Sequence, residues 1–289
     1  MLARAQNLPK TTVTWLGAAG LAIVSGGRCV LVDPYFSRLP LRRLAVGMSL
    51  PDEARIEAAL ANLPPVAAIL VGHTHIDHAF DVPSIARRTA APVFGSADLD
   101  ALLTRAGLPQ RVTVCRPGNT YALPQLGRFT AFRGAHGGVL LGRPPLPGPL
   151  APQGPYPLRA RDYRAGEVLV FDITVGECRI VHVGSAGVAD AAPPEGRCDA
   201  LFLCVPGWQS QPDYPAAYLR RLQPVRIAPF HVDRLDRPLD HPRVLKLPPL
   251  VARLTNLPGL LSRLHDLAPD IPVCIPPLCR PHDAAATLG

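Results

Sequence analysis

Short apolar runs, each closed by glycine or proline, recur along the first two thirds of the chain. Residues 12–16, 21–25 and 28–32 read as strands separated by Gly-Ala-Ala-Gly and Gly-Gly turns. The spacing turns helical over 51–63, where Ile56, Ala59, Leu60 and Leu63 share one face. A continuous apolar run at 66–72 follows as a buried strand, and 81–89 and 97–106 predict helices around a short strand at 92–95. Strands are predicted again at 111–115 and 129–132, then a hairpin of 168–173 and 179–183 around Gly176. A buried strand at 199–205, a helix at 214–222 and a strand at 225–229 lead into His231. Strands in two halves with interspersed helices fit two packed sheets with helices on their outer faces.

Two segments depart from this rhythm. Residues 143–158 are so rich in proline that neither a regular helix nor a central strand can form. A long loop in a compact domain is often functional, and this one follows His136 closely, so it reads as a wall or lid over a site; a rigid surface loop is the alternative. Beyond 235 leucines crowd in, with Arg253 and Arg263 between them, and 250–256 and 260–267 predict two amphipathic helices broken by Pro258. Such helices pack on the parent domain, form an oligomer interface or lie on a membrane.

The densest chemistry lies behind the strand 66–72, where residues 73–78 read His-Thr-His-Ile-Asp-His. Four potential ligands in six positions can serve two neighbouring cation sites, and borderline ions such as zinc favour imidazole with one carboxylate. A pair of surface histidines in a polar loop is the bland alternative, and the density of the cluster argues against it.

His-x-His-x-Asp-His after a strand resembles the metal-binding motif of the metallo-β-lactamase superfamily. The segments around 13–17, 21–24 and 29–36 are similar to the opening of the branch that includes ascorbate-phosphate lactonases and phosphodiesterase-like relatives. Ala135-His136-Gly137 resembles that family's third histidine segment, and Pro229-Phe230-His231 its final histidine. The resemblance implies an α/β fold, the four-layer αβ/βα sandwich of that superfamily, with a Pro-rich insertion at 143–158 and a helical C-terminal extension at 236–289. One domain is expected over 1–289, with its core at 12–235. The implied metal ligands are His73, His75 and His136 for one ion and Asp77, His78 and His231 for a second, zinc or another divalent transition metal. Asp77 would also accept a proton. Ser185 in Val183-Gly184-Ser185-Ala186 stands where relatives carry a bridging aspartate, which takes a negative charge out of the site; Ser185 would instead bond water there. Asp190 or Asp233 is a candidate for the missing carboxylate, and Ala18 replaces a histidine common in this branch. Asp33 would orient a ligating histidine or cap a turn. His182 reads as a core or supporting residue, His241, His265 and His282 as solvent-facing, and Trp208 and Tyr214 as pocket-lining or packing residues.

Composition refines this modestly. The chain has 289 residues, and its net charge of +8 is carried almost wholly by arginine, with lysine only at 10 and 246. No basic run alternates with aromatics, which argues against nucleic-acid binding; the charge fits an anionic substrate. Seven scattered cysteines and the absence of an apolar leader suit a reducing compartment, hence the cytoplasm. No apolar stretch is long enough to span a bilayer. The expected function is metal-dependent hydrolysis of a small or lipid-like ester, lactone or phosphodiester. A catalytically weak metal-binding or regulatory protein is the second reading, a nuclease the third, and an oligomer is compatible with all three.

Overall fold

The computed structural model describes residues 10–40, 49–139, 141–189 and 194–283. The first sheet comprises β1 (Thr12–Trp15), β2 (Leu21–Ser25), β3 (Arg28–Val32), β4 (Val66–Leu70), β5 (Val93–Gly95) and β6 (Val112–Val114) in sequential spatial order. The second is built from β7 (Thr120–Leu123), β8 (Gly127–Arg133), β9 (Leu169–Val175), β10 (Cys178–Val183), β12 (Ala200–Cys204) and β14 (Ile227–Phe230). Between them in sequence, β11 (Gly196–Cys198) and β13 (Leu222–Pro224) form a separate parallel pair. The last strand, β15 (His282–Asp283), returns to the free edge of β1.

One core lies between the sheets, where Val30, Val32 and Leu70 meet Phe129, Phe171, Val181 and Leu203. A second lies outside the first sheet, where Ile56, Ile85, Leu99 and Leu102 from the helices Glu53–Ala61, Val82–Arg88 and Ala97–Arg105 cover Leu31 and Ile69. Asp52 and Ser96 begin two of these helices by accepting the third helical N–H. Leu260 and Leu264 of the helix Leu257–Leu267 are fully buried in the first core, so that helix packs on the body of the protein. These layers are the sandwich that the sequence implied.

Topology explains where chemistry can collect. β3 and β4 run parallel, as do β10, β12 and β14, and β8 points the same way as β10 because two antiparallel steps separate them. The loops leaving all six strands therefore open at the carboxyl ends, where α/β sheets place their ligands.

The C-terminal extension differs from expectation in detail. The break between its helices is Asn256, which adopts a left-handed backbone (φ 45°) and caps the second helix by accepting from Gly259 N–H. Pro258 lies inside that helix's first turn, where the missing N–H costs nothing. His282 is half-buried in β15 rather than solvent-facing, and His241 is half-buried too, its Nδ1 accepting from Arg243 N–H; His265 is exposed. The tail from 273 to 283 bridges Ile227 of β14 and Trp15 of β1, and so ties the two sheets together. Cys274 and Cys279 lie on this strap, and all seven cysteines are free.

A buried ion pair ties the loop after β3 to the loop after β14. The Arg38 guanidinium donates to Asp233 and to the Arg234 carbonyl, and its Nε reaches the Arg237 carbonyl at 2.9 Å. Both side chains of the Arg38–Asp233 pair are wholly buried. Removing one member of such a pair strands the other charge without water, so Arg38→Ala should destabilise the protein by about 3–5 kcal/mol. Urea unfolding measures it, and a loss below about 1 kcal/mol would show that the pair is solvated.

Candidate metal centre

The strand β4 ends at Leu70, and the chain crosses Gly72 into a turn that holds His73 and His75 on one side. A short helix, Ile76–Ala79, then carries Asp77 and His78 round to the other. His136 enters on the loop after β8 and His231 directly after β14. Two clusters result: His73, His75 and His136 in one, Asp77, His78 and His231 in the other, with the potential ligand atoms of each within 4.8 Å of one another. The rings of His73 and His78 link them at a centroid separation of 3.8 Å.

The outward nitrogen of several rings is already engaged, which fixes the tautomer and leaves the other lone pair pointing inward. His75 Nε2 donates to the Pro145 carbonyl at 2.9 Å, and His75 Nδ1 then lies 3.0 Å from His73 Nε2. His136 Nδ1 donates to the Gly137 carbonyl at 2.7 Å. His78 Nδ1 sits 2.9 Å from Asp33 Oδ2, while the other oxygen of Asp33 accepts Gly72 N–H at 2.6 Å. Of the two roles the sequence left open for Asp33, orienting a histidine or capping a turn, the structure shows the carboxylate paired with a histidine of the cluster. Asp33 does so from a left-handed backbone (φ 44°), and His231 is left-handed as well (φ 65°). Non-glycine residues held in that region concentrate at functional sites.

Glycine makes room for these approaches. A β-carbon on Gly184 would lie 2.8 Å from Asp33 Oδ2, and one on Gly137 would lie 2.3 Å from the Ala186 carbonyl. The loops bearing His136 and Ser185 cross in contact for this reason.

Electrostatics favour cation-binding protonation states. Burial, then the neighbouring imidazoles, hold His73 well below the usual histidine range, and burial lowers His75 against the pull of Asp77. Burial beside His75 pushes His136 down to about 4. For Asp77, burial alone would raise the pKa, but His78 and His231 (its Nε2 at 3.0 Å) together bring it well below the usual carboxylate range. His78 moves the other way: burial would lower it, yet Asp33 and Asp77 leave it raised.

The donor set suits a metal ion. Three imidazoles held neutral by burial converge with no carboxylate among them, His73 Nε2 facing His75 Nδ1 at 3.0 Å. Lone pairs gathered in this way repel one another unless a cation lies between them.

Other sequence expectations fare differently. Ser185 is buried and lines the same cavity as Asp77, His78 and His231. Asp233 also borders that cavity, but its carboxylate is engaged by Arg38 and by Ala18 N–H at 2.9 Å, so it is not free to replace a bridging aspartate. Asp190 lies outside the described residues. His182 is fully buried behind the centre, donating to the Ala19 carbonyl at 2.8 Å with Asp33 Oδ2 at 3.9 Å. Trp208 and Tyr214 are packing residues, bonded to the carbonyls of Asn256 and Cys204. From the Pro-rich segment, Pro145 and Leu146 reach the centre, whereas Leu150 and Leu158 are buried in the outer core. Cys204 at the end of β12 lines the cavity too, with its thiol pushed far up by burial, a placement that no local sequence signal marks.

A sandwich with histidine-rich loops along one edge defines a class of fold, and comparison with known proteins identifies it. The model of the beta-lactamase superfamily domain matches residues 28–233. The chain belongs to this family, the metallo-β-lactamase superfamily. It is 37% identical over 119 residues to a UPF0173 metal-dependent hydrolase of Rhizobium meliloti, a match spanning 41% of this chain and 44% of that one. A UPF0173 metal-dependent hydrolase of Polynucleobacter asymbioticus is 26% identical over 77% of this chain and 74% of its own. Among solved structures, the metallo hydrolase Igni18 of Ignicoccus hospitalis superposes with a TM-score of 0.55 at 17% identity, covering 94% of this chain and 97% of that one. Zn²⁺-bound PqqB of Methylobacterium extorquens gives 0.52 at 14% identity, covering 94% and 99%. CmlA of Streptomyces venezuelae, a diiron β-hydroxylase, gives 0.55 at 15% identity, covering 95% and 54%.

The lowered histidines set a pH dependence for the metal-stripped protein. Unfolded histidines take up protons below about pH 6.5, whereas His73, His75, His136 and the buried His182 resist protonation when folded, His136 down to about 4. The unfolded state then binds more protons, so stability falls with pH through that window; His78, being raised, opposes the fall only once. Thermal unfolding after chelation should show a Tm that drops from about pH 7 to about pH 5. A flat profile would mean that the imidazoles are solvated.

Proposed function

We propose that this chain is a metal-dependent hydrolase acting on a small or lipid-like ester, lactone or phosphodiester. The observation that carries the reading is the pair of converging donor triads, His73–His75–His136 and Asp77–His78–His231, on one rim of the sandwich. The relatives' names point the same way. The nitrogen-rich donors favour zinc, in one or two ions. Zinc bound by three protein ligands supplies acidified water near neutral pH and polarises the substrate oxygen.

The chain's own residues divide the remaining work. Pro145, Gly137 and Asp33 orient the imidazoles through their outer nitrogens. Asp77 is kept ionised by His78 and His231, which makes it a good anchor for a cation and a weak proton acceptor. Ligation is thus its stronger role, with proton acceptance secondary. Ser185, facing the same cavity, offers a hydroxyl to water or substrate. Among the described residues, no helix is long and apolar enough to cross a membrane.

The second reading, a binding protein with weak turnover, draws on Ser185 and on the engagement of Asp233 by Arg38. Activity separates the two. Protein expressed with supplemented metal should retain a transition metal on elemental analysis; less than about a tenth of an equivalent would sink the reading. Across a panel of ester, lactone and phosphodiester substrates, Asp77→Asn should lower turnover by roughly 10²-fold or more with the fold intact. Near-normal turnover would show that its role is misassigned.

Ser185→Asp restores an anion beside the second triad and should tighten binding of the second metal equivalent. Titrating metal into stripped parent and variant decides it. Equal affinity would mean either that residue 185 lies outside that site's reach or that another carboxylate, with Asp190 the remaining candidate, already fills the gap.

A further inference from the structure

The cavity over the donor clusters measures about 410 Å³, within the range of small-molecule sites. Its floor is polar, formed by His75, Asp77, His78, His136 and His231. Its walls are not. Val139 and Leu146 approach from the segment between β8 and β9, and Leu235, Leu247 and Val251 from the chain beyond His231. Leu146 takes a left-handed backbone (φ 41°) there, and its carbonyl accepts Ala165 N–H at 3.0 Å.

Charged groups in the walls are paired. Arg234 is held bidentate by Asp236, at 3.0 Å and 2.8 Å, and Asp233 is held by Arg38 and Ala18 N–H. Among the described residues lining it, Arg234 is the sole lysine or arginine. Among the described residues, then, the net charge of +8 is not focused on this cavity, and an anionic headgroup would find no free arginine or lysine in the described walls.

We infer that the cavity binds the apolar chain of an acyl substrate, an ester or lactone whose carbonyl rests on the donor clusters and whose chain lies against Leu146, Leu247 and Val251. This rests on the hydrolytic reading above and selects within it, against phosphodiesters with charged surroundings. The C-terminal extension supplies part of the wall: Leu247 and Pro248 lead into the helix Pro249–Thr255, Val251 and Thr255 border the cavity, and Leu250 is 68% exposed on the same helix. The helix is positioned from behind. Trp208 Nε1 donates to the Asn256 carbonyl at 3.2 Å, and the following helix is anchored by Leu260 and Leu264.

Calorimetric titration with butano-, hexano- and octanohydroxamic acid tests the inference, because the head group is a metal ligand and only the chain varies. For the protein as isolated, affinity should rise about tenfold for each two methylenes. Val251→Asp, at a half-exposed position on the wall, should flatten that rise. Leu250→Asp on the outward face should leave the rise intact. A series independent of chain length in the parent overturns the inference, whatever the head group does. Repeating the series on metal-stripped protein separates the two readings. Uniform weakening with the slope preserved supports both. A slope preserved with no weakening keeps the apolar wall and removes the metal from beneath it.

Discussion

Five imidazoles and one carboxylate are gathered at the floor of one cavity, with their potential ligand atoms turned towards one another. Everything around the centre answers that constraint. Left to themselves, such groups would rotate away, take up protons or admit water. The fold blocks each escape: Pro145 and Gly137 carbonyls and the Asp33 carboxylate hold outer nitrogens, burial keeps His73, His75 and His136 neutral, and Gly137 and Gly184 let neighbouring loops close without a β-carbon. The left-handed backbones at Asp33 and His231 belong to the same arrangement, because the surrounding packing sustains conformations that a free loop would relax.

Position along the sandwich matters as much as residue type. The donors come from loops after β4, β8 and β14, with support from the ends of β3 and β10, so no single element could move without separating them. The Arg38–Asp233 pair fastens the loop after β3 to the loop after β14, and the tail strap joins the outer edges of the sheets. This frame does not choose a reaction. Proteins of similar fold include Zn²⁺-bound PqqB and the diiron hydroxylase CmlA, so chemistry has to be argued from the site. Here the distinguishing features are the neutral first triad, the serine at 185 and the apolar walls.

The sequence disclosed what is local and concealed what is not. His73 to His78 lie in six consecutive positions, and strand-plus-turn patterning placed them correctly at the end of a buried strand. Asp33 was legible because it closes a strand before proline. Arg38 and Asp233 are 195 residues apart, and nothing in either neighbourhood marks them as partners, so Asp233 looked free to serve the metal. The short strands β7, β11 and β15 carry too few apolar positions to show a period. Pro258 was misleading for a physical reason: proline breaks a helix interior yet fits its first turn, and choosing between these needs the cap at Asn256. The cavity walls were hidden most fully. Leucines 247 and 250 resemble any amphipathic stripe until the fold shows which one faces the donors.

The serine at 185 and the apolar walls fit together on the proposed reading. With Asp77 the single carboxylate in the two triads, cations held there would leave a positive surplus. In surroundings of low polarity that surplus acts strongly, since two unit charges 4 Å apart interact by about 4 kcal/mol at an effective dielectric of about 20. An anionic substrate would satisfy it on binding and gain little further during reaction. A neutral acyl group arrives uncharged and develops negative charge on its carbonyl oxygen only as it is attacked, so the surplus stabilises the transition state more than the ground state. Apolar walls make that difference larger by keeping water from screening it, and they secure the substrate through its chain, where no charge is needed.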